Sequence, residues 1–595
     1  MTGYHDGFNP DLLALMPLSA RRVLEIGCGS GVLARVWRQR NPAAHYTAVE
    51  IHAESAARAA RHVDRLIEGD IEVLADADLG GPFDLVVMGD SLEHLADADR
   101  MLARIKGLLV PGGVLLASVP NIAHWSALRV LLEGRWPNTD DGLFDRTHRR
   151  FFTFSALSAA LQKAGLRMLK SRARNLPATL PPEAADTIEA LAGAAKALGL
   201  DDTAFRARAR ALQYVVCAEN PPAQPRPVMR LHSVAMVPAM MAARTLVPDA
   251  ALRAEPGIAL TTARKIFGLP GAPPASHGRD TSKDDGPRVA VVQRLRFESE
   301  DEAVRAMARA HGSGWAVVIE YDDHPALLDR VLQRDASGVY RKLMGMALGV
   351  QTSTPKLADV FRELNPNVAV FPNAVLELPE MRPLRPGPAQ VFMGALNRGP
   401  VAAEIARALA PAITAHPDTH FHVVHDRDFF DNLPTDRKTF HGTLGYDDYL
   451  ARMAACDIAL MPLEGRPDEL FKSDLKWVEA SSRGLANIAS PAVYGDTVRH
   501  GENGLIAAAP VGWGEELRAL LDQPDRRHAI ATRARAEVAA GRMMAHQVTE
   551  RHDWYRQVWA GRETLLEAAL KRHPDLRRAL ADVVRNKDGS QIGDG

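Results

Sequence analysis

Cysteine is scarce in this 595-residue chain, which contains only Cys28, Cys217 and Cys456. Three widely spaced cysteines form neither a disulfide framework nor a zinc-binding pattern, so the sequence predicts a protein of a reducing compartment. The chain also lacks an excess of charge of either sign, because 72 basic residues are balanced by 73 acidic ones. This balance gives no reason to expect a nucleic-acid partner.

Long apolar runs are also missing. No stretch of about 18 uncharged apolar residues occurs, so no membrane-spanning helix is expected. The first residues, MTGYHDGFNPDLLALMPL, do not combine a basic region with a long apolar run, as a signal peptide does. We therefore expect a cytoplasmic protein, with peripheral contact to a membrane left open. The sequence does not indicate an oligomeric state.

Proline-rich joints divide the chain. Prolines concentrate over 219–228 and 379–388, and such segments suit connectors because proline lacks a backbone donor. A third segment, 269–288, combines Pro, Gly, Ser and Asp with almost nothing to bury, and we expect a mobile loop that serves as a lid. The predicted domains are 1–220, 228–380 and 389–560, followed by a C-terminal helix and a disordered tail over 561–595.

Three glycines at alternate positions follow the first predicted strand. The sequence VLEIGCGSGVL places Gly27, Gly29 and Gly31 where an apolar strand gives way to a helix. Glycine permits a tight turn and close approach to a ligand, and parallel sheets bind ligands at the carboxyl ends of their strands. Glu50 ends the second strand, where an acid accepts hydrogen bonds from ribose hydroxyls. The loop alone leaves open a dinucleotide or another nucleoside ligand, although its third glycine comes one position early for a dinucleotide fingerprint.

Five sequence pieces in a fixed order extend this pattern. VLEIGCGSG, AVEI, EGDI, FDLVVMGDSLEHL and LLVPGGVLLASVPN cover about residues 21–121, and together they resemble a class I S-adenosylmethionine-dependent methyltransferase. A dinucleotide-binding dehydrogenase domain is the alternative. The resemblance implies that Glu25 and the glycine loop surround the methionine portion of S-adenosylmethionine, that Glu50 holds the ribose and that Asp70 faces the adenine. The implied cofactor-binding residues are Glu25, Gly27, Gly29, Gly31, Glu50, Asp70 and Asp90, which ends the fourth strand.

Two histidines are candidate catalytic bases. Methyl transfer relies mainly on positioning, and a hydroxyl acceptor benefits from a base that takes its proton. His94 follows the fourth strand, where the methyl donor is expected, and its alternative is a packing role at a helix start. His148 lies in the basic run 146–150 within LFDRTHRRFFT, which resembles a segment of small-molecule methyltransferases. We favour an anionic acceptor for this run over a solvated surface.

A second nucleotide site is predicted in the C-terminal block. AQVFMGALNRG, DIALMPL, KSDLKWVE and GENG follow one another there. Over about residues 389–510 this order resembles the nucleotide-sugar lobe of retaining GT-B glycosyltransferases of the family-4 type. The resemblance implies that Glu479 binds the ribose and that Lys472 binds the donor diphosphate, where a cation stabilises the departing charge during catalysis. The implied nucleotide-sugar residues are Gly394, Lys472, Ser473, Lys476 and Glu479, with a surface lysine as the alternative for Lys476.

One departure from the family affects the sugar contact. Many relatives carry two glutamates eight positions apart on this segment, but the position eight before Glu479 is Phe471. Glu469 and Asp474 lie nearby and out of register. The departure leaves the ribose contact intact. It also keeps open the alternative that this half is a catalytically inactive binding or scaffold module.

The middle block is predicted to be the acceptor lobe of the same GT-B fold. Asp322, Asp323 and His324 follow the apolar segment WAVVIEY, so we expect them to line the cleft between the lobes or to form a turn. Paired carboxylates suggest a metal ion, yet enzymes of this fold generally work without one, and we expect none. The helices after Trp554 are expected to cross back to this lobe, and residues 586–595 to be disordered.

The sequence therefore predicts an α/β protein, with a Rossmann-like methyltransferase domain followed by the two Rossmann-like lobes of a GT-B glycosyltransferase. The predicted function is bifunctional, with S-adenosyl-L-methionine and a nucleotide-diphosphate sugar as the two donors. The expected acceptor is a glycan or glycoconjugate, such as a surface polysaccharide. Two enzymes that modify a glycosylated small metabolite are the alternative.

Overall fold

The structure, a computed structural model, describes residues 7–176, 179–235, 242–264, 286–294, 297–332, 337–384, 387–395, 398 and 400–590. The lid predicted over 269–288 lies outside these ranges except for its last three residues. Packing divides the chain into two compact units. The first comprises residues 1–227 and 253–258, and the second comprises 228–252 and 259–595.

One sheet forms the centre of the first unit. Its strands are β1 (Arg22–Ile26), β2 (His45–Glu50), β3 (Arg65–Glu68), β4 (Phe83–Gly89), β5 (Leu109–Pro120), β6 (Arg167–Arg174) and β7 (Gln213–Glu219). Their order is β3-β2-β1-β4-β5-β7-β6. Strands β1 to β5 pair in parallel, whereas β7 runs antiparallel to β5 and β6.

Helices cover both faces of this sheet. They are α1 (Pro10–Leu15), α2 (Val32–Arg38), α3 (Ala53–Ala59), α4 (Asp76–Leu79), α5 (Ala98–Leu108), α6 (Trp125–Leu132), α7 (Phe154–Lys163), α8 (Pro182–Ala197) and α9 (Asp202–Arg210). Side chains alternate along a strand. Val23 therefore packs in the core under α1 and α2, around Trp37, whereas Leu24 packs in the core under α5 and α7.

The second unit begins with a six-stranded lobe. Its strands are β8 (Met229–Ala235), β9 (Ile258–Ala263), β10 (Arg288–Gln293), β11 (Ala316–Glu320), β12 (Gly349–Thr352) and β13 (Val368–Val370), in the order β13-β12-β11-β10-β8-β9. The strands from β13 through β8 in this order pair in parallel. The helices are α10 (Leu246–Ala254), α11 (Glu300–Gly312), α12 (Pro325–Leu332), α13 (Ser337–Met346) and α14 (Pro355–Arg362).

The C-terminal lobe repeats this plan. Its strands are β14 (Gln390–Gly394), β15 (His420–Val424), β16 (Lys438–His441), β17 (Ile458–Met461), β18 (Ala486–Ala489) and β19 (Leu505–Ile506), all parallel, in the order β16-β15-β14-β17-β18-β19. Its helices are α15 (Pro400–Ala408), α16 (Ala410–Ala415), α17 (Arg427–Asn432), α18 (Tyr446–Ala454), α19 (Leu475–Ser482), α20 (Pro491–Tyr494), α21 (Pro510–Asp522) and α22 (Pro524–Gly541). The predicted α/β class is confirmed.

The last helices return to the first lobe of the second unit, as predicted. They are α23 (Met544–Ala560), α24 (Arg562–Arg572) and α25 (Pro574–Ser590). Leu576 of α25 is buried in that lobe's core, and the Tyr555 hydroxyl of α23 donates a hydrogen bond to Gln351 Oε1 at 2.9 Å. Helix α25 also extends five residues into the stretch 586–595 that was predicted to be disordered, so that prediction is wrong up to Ser590. Residues 591–595 lie outside the described ranges.

The chain crosses between the two lobes of the second unit twice, and the crossings are paired. The Val375 N–H donates to the Arg542 carbonyl and the Met544 N–H donates to the Val375 carbonyl, both at 2.9 Å. Arg542 donates from Nε to the Asn373 carbonyl at 2.9 Å. It also donates to both carboxylate oxygens of Asp474 at 2.7 and 2.6 Å. One arginine thus joins the crossings to the start of α19.

The strand orders locate the places where these sheets can bind ligands. The order reverses between β1 and β4 in the first unit and between β14 and β17 in the C-terminal lobe. Ligands of open α/β sheets bind outside the carboxyl ends of the strands at such reversals. Among the described residues, no helix is both long enough and apolar enough to cross a membrane.

Candidate active sites

The glycine loop follows β1 at the first reversal. Gly27 and Gly31 have φ angles of +74° and +76°, a backbone region that favours glycine. A Cβ atom on Gly31 would lie 3.0 Å from Ala59 Cα. The N–H of Gly29 donates to Glu50 Oε2 at 2.8 Å. The loop is thus held against the end of β2, and the structure brings together these four predicted cofactor-binding residues.

Two buried glutamates accompany the loop. Glu50 also accepts a hydrogen bond from the N–H of His52 at 2.9 Å, and Glu25 accepts one from the Tyr46 hydroxyl at 2.8 Å. Burial raises the pKa of Glu25 to about 8, the Tyr46 hydrogen bond opposes that rise, and nearby Glu50 adds to it. A cationic ligand placed near Glu25 would favour its ionised form.

Asp70 and Asp90 follow the next strands. Asp70 lies just after β3, is partly exposed and accepts a hydrogen bond from the N–H of Glu72 at 2.9 Å. Asp90 lies just after β4 with a φ of +49°. Its carboxylate accepts from Ser118 Oγ at 2.7 Å and from Gln213 Nε2 at 3.2 Å. Burial raises the pKa of Asp90 despite these two bonds. Asp90 is therefore anchored to β5 and β7.

The two predicted histidine bases lie together. The ring centroids of His94 and His148 are 4.8 Å apart. Thr147 Oγ1 donates its proton to Asp145 Oδ1 at 2.6 Å. Thr147 Oγ1 therefore accepts a hydrogen bond from His94 Nδ1, which lies 3.0 Å away. This chain places the proton of neutral His94 on Nδ1 and leaves the lone pair on Nε2 available. Burial and the neighbouring His94 lower the pKa of His148.

Glu93 belongs to the same cluster and was missed from the sequence. Its side chain is 1% exposed, and its backbone carbonyl accepts hydrogen bonds from the N–H groups of Arg149 and Arg150. One donor atom each from Glu93, His94 and His148 lies within 4.8 Å of the others. An acid next to His94 just past β4 was the available signal. Sequence alone did not show that its carboxylate is buried.

A cavity opens at the second reversal, in the C-terminal lobe. Its polar and aromatic lining comes from Gly394, Arg398, Tyr449, Lys476 and Tyr494. Glycine is required at position 394, because a Cβ atom there would lie 2.6 Å from the Phe392 ring and 2.8 Å from the Tyr449 ring. Gly394 and Lys476 were predicted. Arg398 was missed, although its position just after a strand and its cationic charge were signals.

The partly exposed Lys476 pairs with the buried Glu479 beside this cavity. Lys476 Nζ donates to Glu479 Oε2 at 3.0 Å and to the Tyr449 hydroxyl at 2.9 Å, and the Tyr446 hydroxyl donates to Glu479 Oε1 at 3.1 Å. Burial opposes the charge on Lys476, but Glu479 and Tyr449 outweigh it and raise the lysine pKa. Lys476 is therefore not a free surface lysine.

Lys472 and Ser473 lie at the contact with the other lobe. Lys472 Nζ donates to Asp323 Oδ1 at 3.1 Å, and Asn373 Nδ2 donates to Ser473 Oγ at 2.6 Å. Arg294 contacts Asp322 and Asp323 as well. Burial opposes ionisation of Asp323, but Arg294 and Lys472 outweigh it and lower the Asp323 pKa. Asp323 thus faces Lys472 of the other lobe, whereas the partner of Asp322 is Arg294 of its own lobe.

The residues around the missing glutamate have structural partners. Phe471 packs against the His324 ring at an interplanar angle of 33°, with centroids 4.5 Å apart. Glu469 is buried, and its Oε2 accepts from the N–H groups of Glu464 and Gly465, both at 3.1 Å. Asp474 is held by an arginine, as described above. Both nearby acids are thus engaged by other groups of the protein.

Both halves of the chain match known families. Residues 4–171 match the family described as "Methyltransferase domain", and residues 403–553 match the one described as "Glycosyl transferase-like". Among solved structures, sucrose-phosphate synthase from Thermosynechococcus elongatus aligns with 56% of this chain and 100% of its own, at 15% identity and a TM-score of 0.41.

Two curated relatives match the N-terminal half. The malonyl-[acyl-carrier protein] O-methyltransferase of Geobacter sulfurreducens is 31% identical over 153 residues, which is 25% of this chain and 57% of that protein. An uncharacterized methyltransferase of Mycobacterium bovis is 38% identical over 106 residues, 17% of this chain and 52% of the relative. The chain thus spans little more than half the length of these relatives. It contains a methyltransferase domain. A glycosyltransferase-like domain follows in the same chain, so both predicted families are confirmed.

Proposed function

We propose that the protein is a bifunctional transferase. Its first unit transfers a methyl group from S-adenosylmethionine to a hydroxyl group, and its second transfers a sugar from a nucleotide-diphosphate donor. The observation that carries the proposal is the presence of two sheet-reversal sites of opposite charge. Glu25 and Glu50 adjoin one, and Arg398 and Lys476 adjoin the other.

The methyl-transfer proposal rests on the glycine loop and its carboxylates. S-adenosylmethionine carries a sulfonium cation, which suits a site flanked by Glu25 and Glu50. The Nε2 lone pair of His94 is available to take the acceptor proton. In this step the S–CH3 bond breaks as an O–CH3 bond forms. The bonding pair stays on sulfur, and the hydroxyl proton passes to the base.

The glycosyl-transfer proposal rests on cations. A departing diphosphate gains negative charge, which lysine and arginine side chains stabilise. Lys476 and Arg398 line the cavity, and Lys472 lies at the lobe contact on the same segment. We assign the diphosphate to these cations and the ribose to Glu479. The proposed acceptor is a glycan or glycoconjugate that both halves modify, and the support for a shared acceptor is the fusion of the two domains in one chain.

Calorimetry with S-adenosylmethionine tests the first half. Wild-type protein should bind one equivalent. The double variant Glu50→Ala with Gly29→Val should lose binding, because Glu50→Ala removes the acceptor of the 2.8 Å contact that closes the loop. Gly29 also has a φ angle of +55°, which valine rarely adopts. Unchanged binding in that variant would overturn the assigned site. The exposed-residue variant Glu54→Gln should bind like wild type.

Release of nucleoside diphosphate from a panel of nucleotide sugars tests the second half. We expect turnover with at least one donor, and a decrease of about a hundredfold or more in Lys472→Ala. The exposed-lysine variant Lys571→Met should retain activity. No release from any donor, together with no effect of Lys472→Ala on donor binding, would overturn the transferase assignment.

Phe471 favours one second candidate function for the C-terminal half. Without a carboxylate at that position, this half would bind a nucleotide sugar and position a glycan without cleaving the donor. Donor binding by calorimetry in the absence of any diphosphate release would support this binding module. Release that depends on Lys472 would exclude it.

A further inference from the structure

A buried carboxylate and two imidazoles converge next to the glycine loop. The donor atoms of Glu93, His94 and His148 lie within 4.8 Å of one another. Ser91, two residues before Glu93, donates from Oγ to the Ile26 carbonyl at 3.1 Å, at the end of β1. The cluster therefore adjoins the proposed methyl-donor site.

The buried carboxylate of Glu93 lacks hydrogen-bond partners among the described residues. Within the described part of the chain, neither of its carboxylate oxygens receives a hydrogen bond. A buried polar group without a partner is costly unless it binds a donor or a metal ion. A cation at the cluster would supply the missing partner.

Both imidazoles are oriented by outer contacts. His94 Nδ1 is engaged by Thr147, whose hydroxyl is in turn fixed by Asp145, as described above. The ring of His148 packs against the rings of His94 and Phe151, with centroids 4.8 and 6.0 Å away. Metal-bound histidines are commonly held as His94 is, with one ring nitrogen donating to an oxygen and the other free to face an ion.

We propose that Glu93, His94 and His148 bind one divalent transition-metal ion. Two imidazole nitrogens and one carboxylate favour zinc, iron, cobalt or manganese over magnesium or calcium. Metal bonds of about 2.1 Å place donor atoms about 3 to 3.4 Å apart, so the side chains close on the ion by about one ångström. Three protein ligands leave coordination positions for oxygen atoms of a substrate. The sequence led us to expect no metal in this protein, and the buried carboxylate is what changes that expectation.

The role of the ion rests on the proposed methyl transfer. An acceptor hydroxyl bound to the ion loses its proton more readily, as metal-bound water does. The hydroxyl oxygen then forms the O–CH3 bond while the S–CH3 bond breaks, the bonding pair stays on sulfur, and the proton leaves to water. In this arrangement His94 is a ligand instead of the base.

Cobalt binding tests the site without relying on activity. The full-length protein is stripped with a chelator and titrated with Co²⁺ while visible absorption is recorded, and with Zn²⁺ by calorimetry. We expect one equivalent of either ion. Glu93→Gln and His148→Asn should each weaken Co²⁺ binding by about a hundredfold or more. The exposed-residue controls Glu54→Gln and His45→Asn should bind like wild type.

Calorimetry with S-adenosylmethionine shows whether each variant is folded. If Glu93→Gln fails to fold, His148→Asn still tests the metal site. No stoichiometric cobalt binding, or equal binding in ligand and control variants, would overturn the metal site. A protein that binds S-adenosylmethionine but no cobalt retains the proposed function without the ion. One that binds cobalt but no S-adenosylmethionine retains the metal site and loses the proposed methyl transfer.

Discussion

The sites after β1 and after β14 occupy the same position in their sheets and differ in the ionisable side chains that line them, which are acids at the first and bases at the second. The first places Glu25 and Glu50 beside a glycine loop, and the second places Arg398 and Lys476 in a cavity. In both sheets the strand order reverses at that point, so the topology determines where a ligand binds. The side chains determine which ligand charge is favoured. The first site suits a sulfonium nucleoside, and the second suits a nucleoside diphosphate.

The largest effect is expected from a substitution that disrupts the first site and leaves the second unchanged. Gly31→Val combines a φ of +76° with a Cβ atom 3.0 Å from Ala59 Cα, so the loop must change its path. We expect S-adenosylmethionine affinity to fall by more than about a hundredfold, since a shift of one ångström in a site can cost that much. Nucleotide-sugar binding should be unchanged. Calorimetry with both ligands measures this, and Gly107→Val is the control because Gly107 is exposed and has open space around it. Equal losses in the two variants would contradict the argument.

The next largest effect is expected from a substitution in the second site. Glu479→Gln removes the counter-charge of Lys476, whose Nζ lies 3.0 Å from Glu479 Oε2. We expect the free energy of unfolding to fall by about 2 kcal/mol and donor affinity to fall by about tenfold or more. Urea unfolding and calorimetry check this, with the exposed Glu550→Gln as control. Stability equal to wild type would show that the pair contributes nothing to the lobe.

A pH titration sharpens the contrast in charge. The pKa of Glu25 is about 8 in the empty site, and a cationic ligand binds the ionised carboxylate. S-adenosylmethionine affinity should therefore rise as pH rises toward 8, by at most about tenfold per pH unit, and level off above it. Glu25→Gln should remove this part of the slope. Any slope left in the variant reports titration of the ligand, and an unchanged slope would contradict the assignment.

The same shift affects stability. The folded pKa of Glu25 lies above its unfolded value, so the folded state binds more protons between about pH 5 and pH 8. The free energy of unfolding of the ligand-free protein should thus fall as pH rises through that window. Glu25→Gln should show a smaller fall in urea unfolding over the same range.

The smallest expected effect is an increase in the affinity of the second site for a nucleoside diphosphate. Asp323 holds Lys472 at 3.1 Å across the lobes, so an anionic donor must compete with this carboxylate. Asp323→Asn should tighten nucleoside-diphosphate binding by about three- to tenfold. Calorimetry measures the change, with the exposed Asp359→Asn as control. Weaker binding in Asp323→Asn would show that the carboxylate supports the site instead of competing for its lysine.

The sequence predicted most residues that lie at strand ends. Gly31 and Glu50 could be located because Gly31 follows one short apolar strand and Glu50 ends the next, and the order of those strands predicts a common sheet edge. Phe471 could be recognised as a departure by counting from Glu479. These predictions depend on local spacing, which a linear sequence displays directly.

Long-range partners could not be predicted. Asp474 meets Arg542 68 residues later, and Lys472 meets Asp323 149 residues earlier. Glu93 was missed for the same reason, since its burial depends on the segment around His148, which packs over it from farther along the chain. The sequence alone does not indicate whether a charged residue is buried. Burial without a partner is what distinguishes a candidate metal ligand from an acid with a structural role.

The paired crossings of the second unit would constrain any rotation of one lobe against the other. A rotation that keeps the Val375 and Arg542 hydrogen bonds must turn about the line of the two crossings. Asp474 is bonded to Arg542, so the start of α19 lies close to that line and is displaced least. Opening would instead break contacts outside this network, such as Arg330–Asp468. The helix that follows Lys472 is thus tied to both crossings of the chain through Arg542.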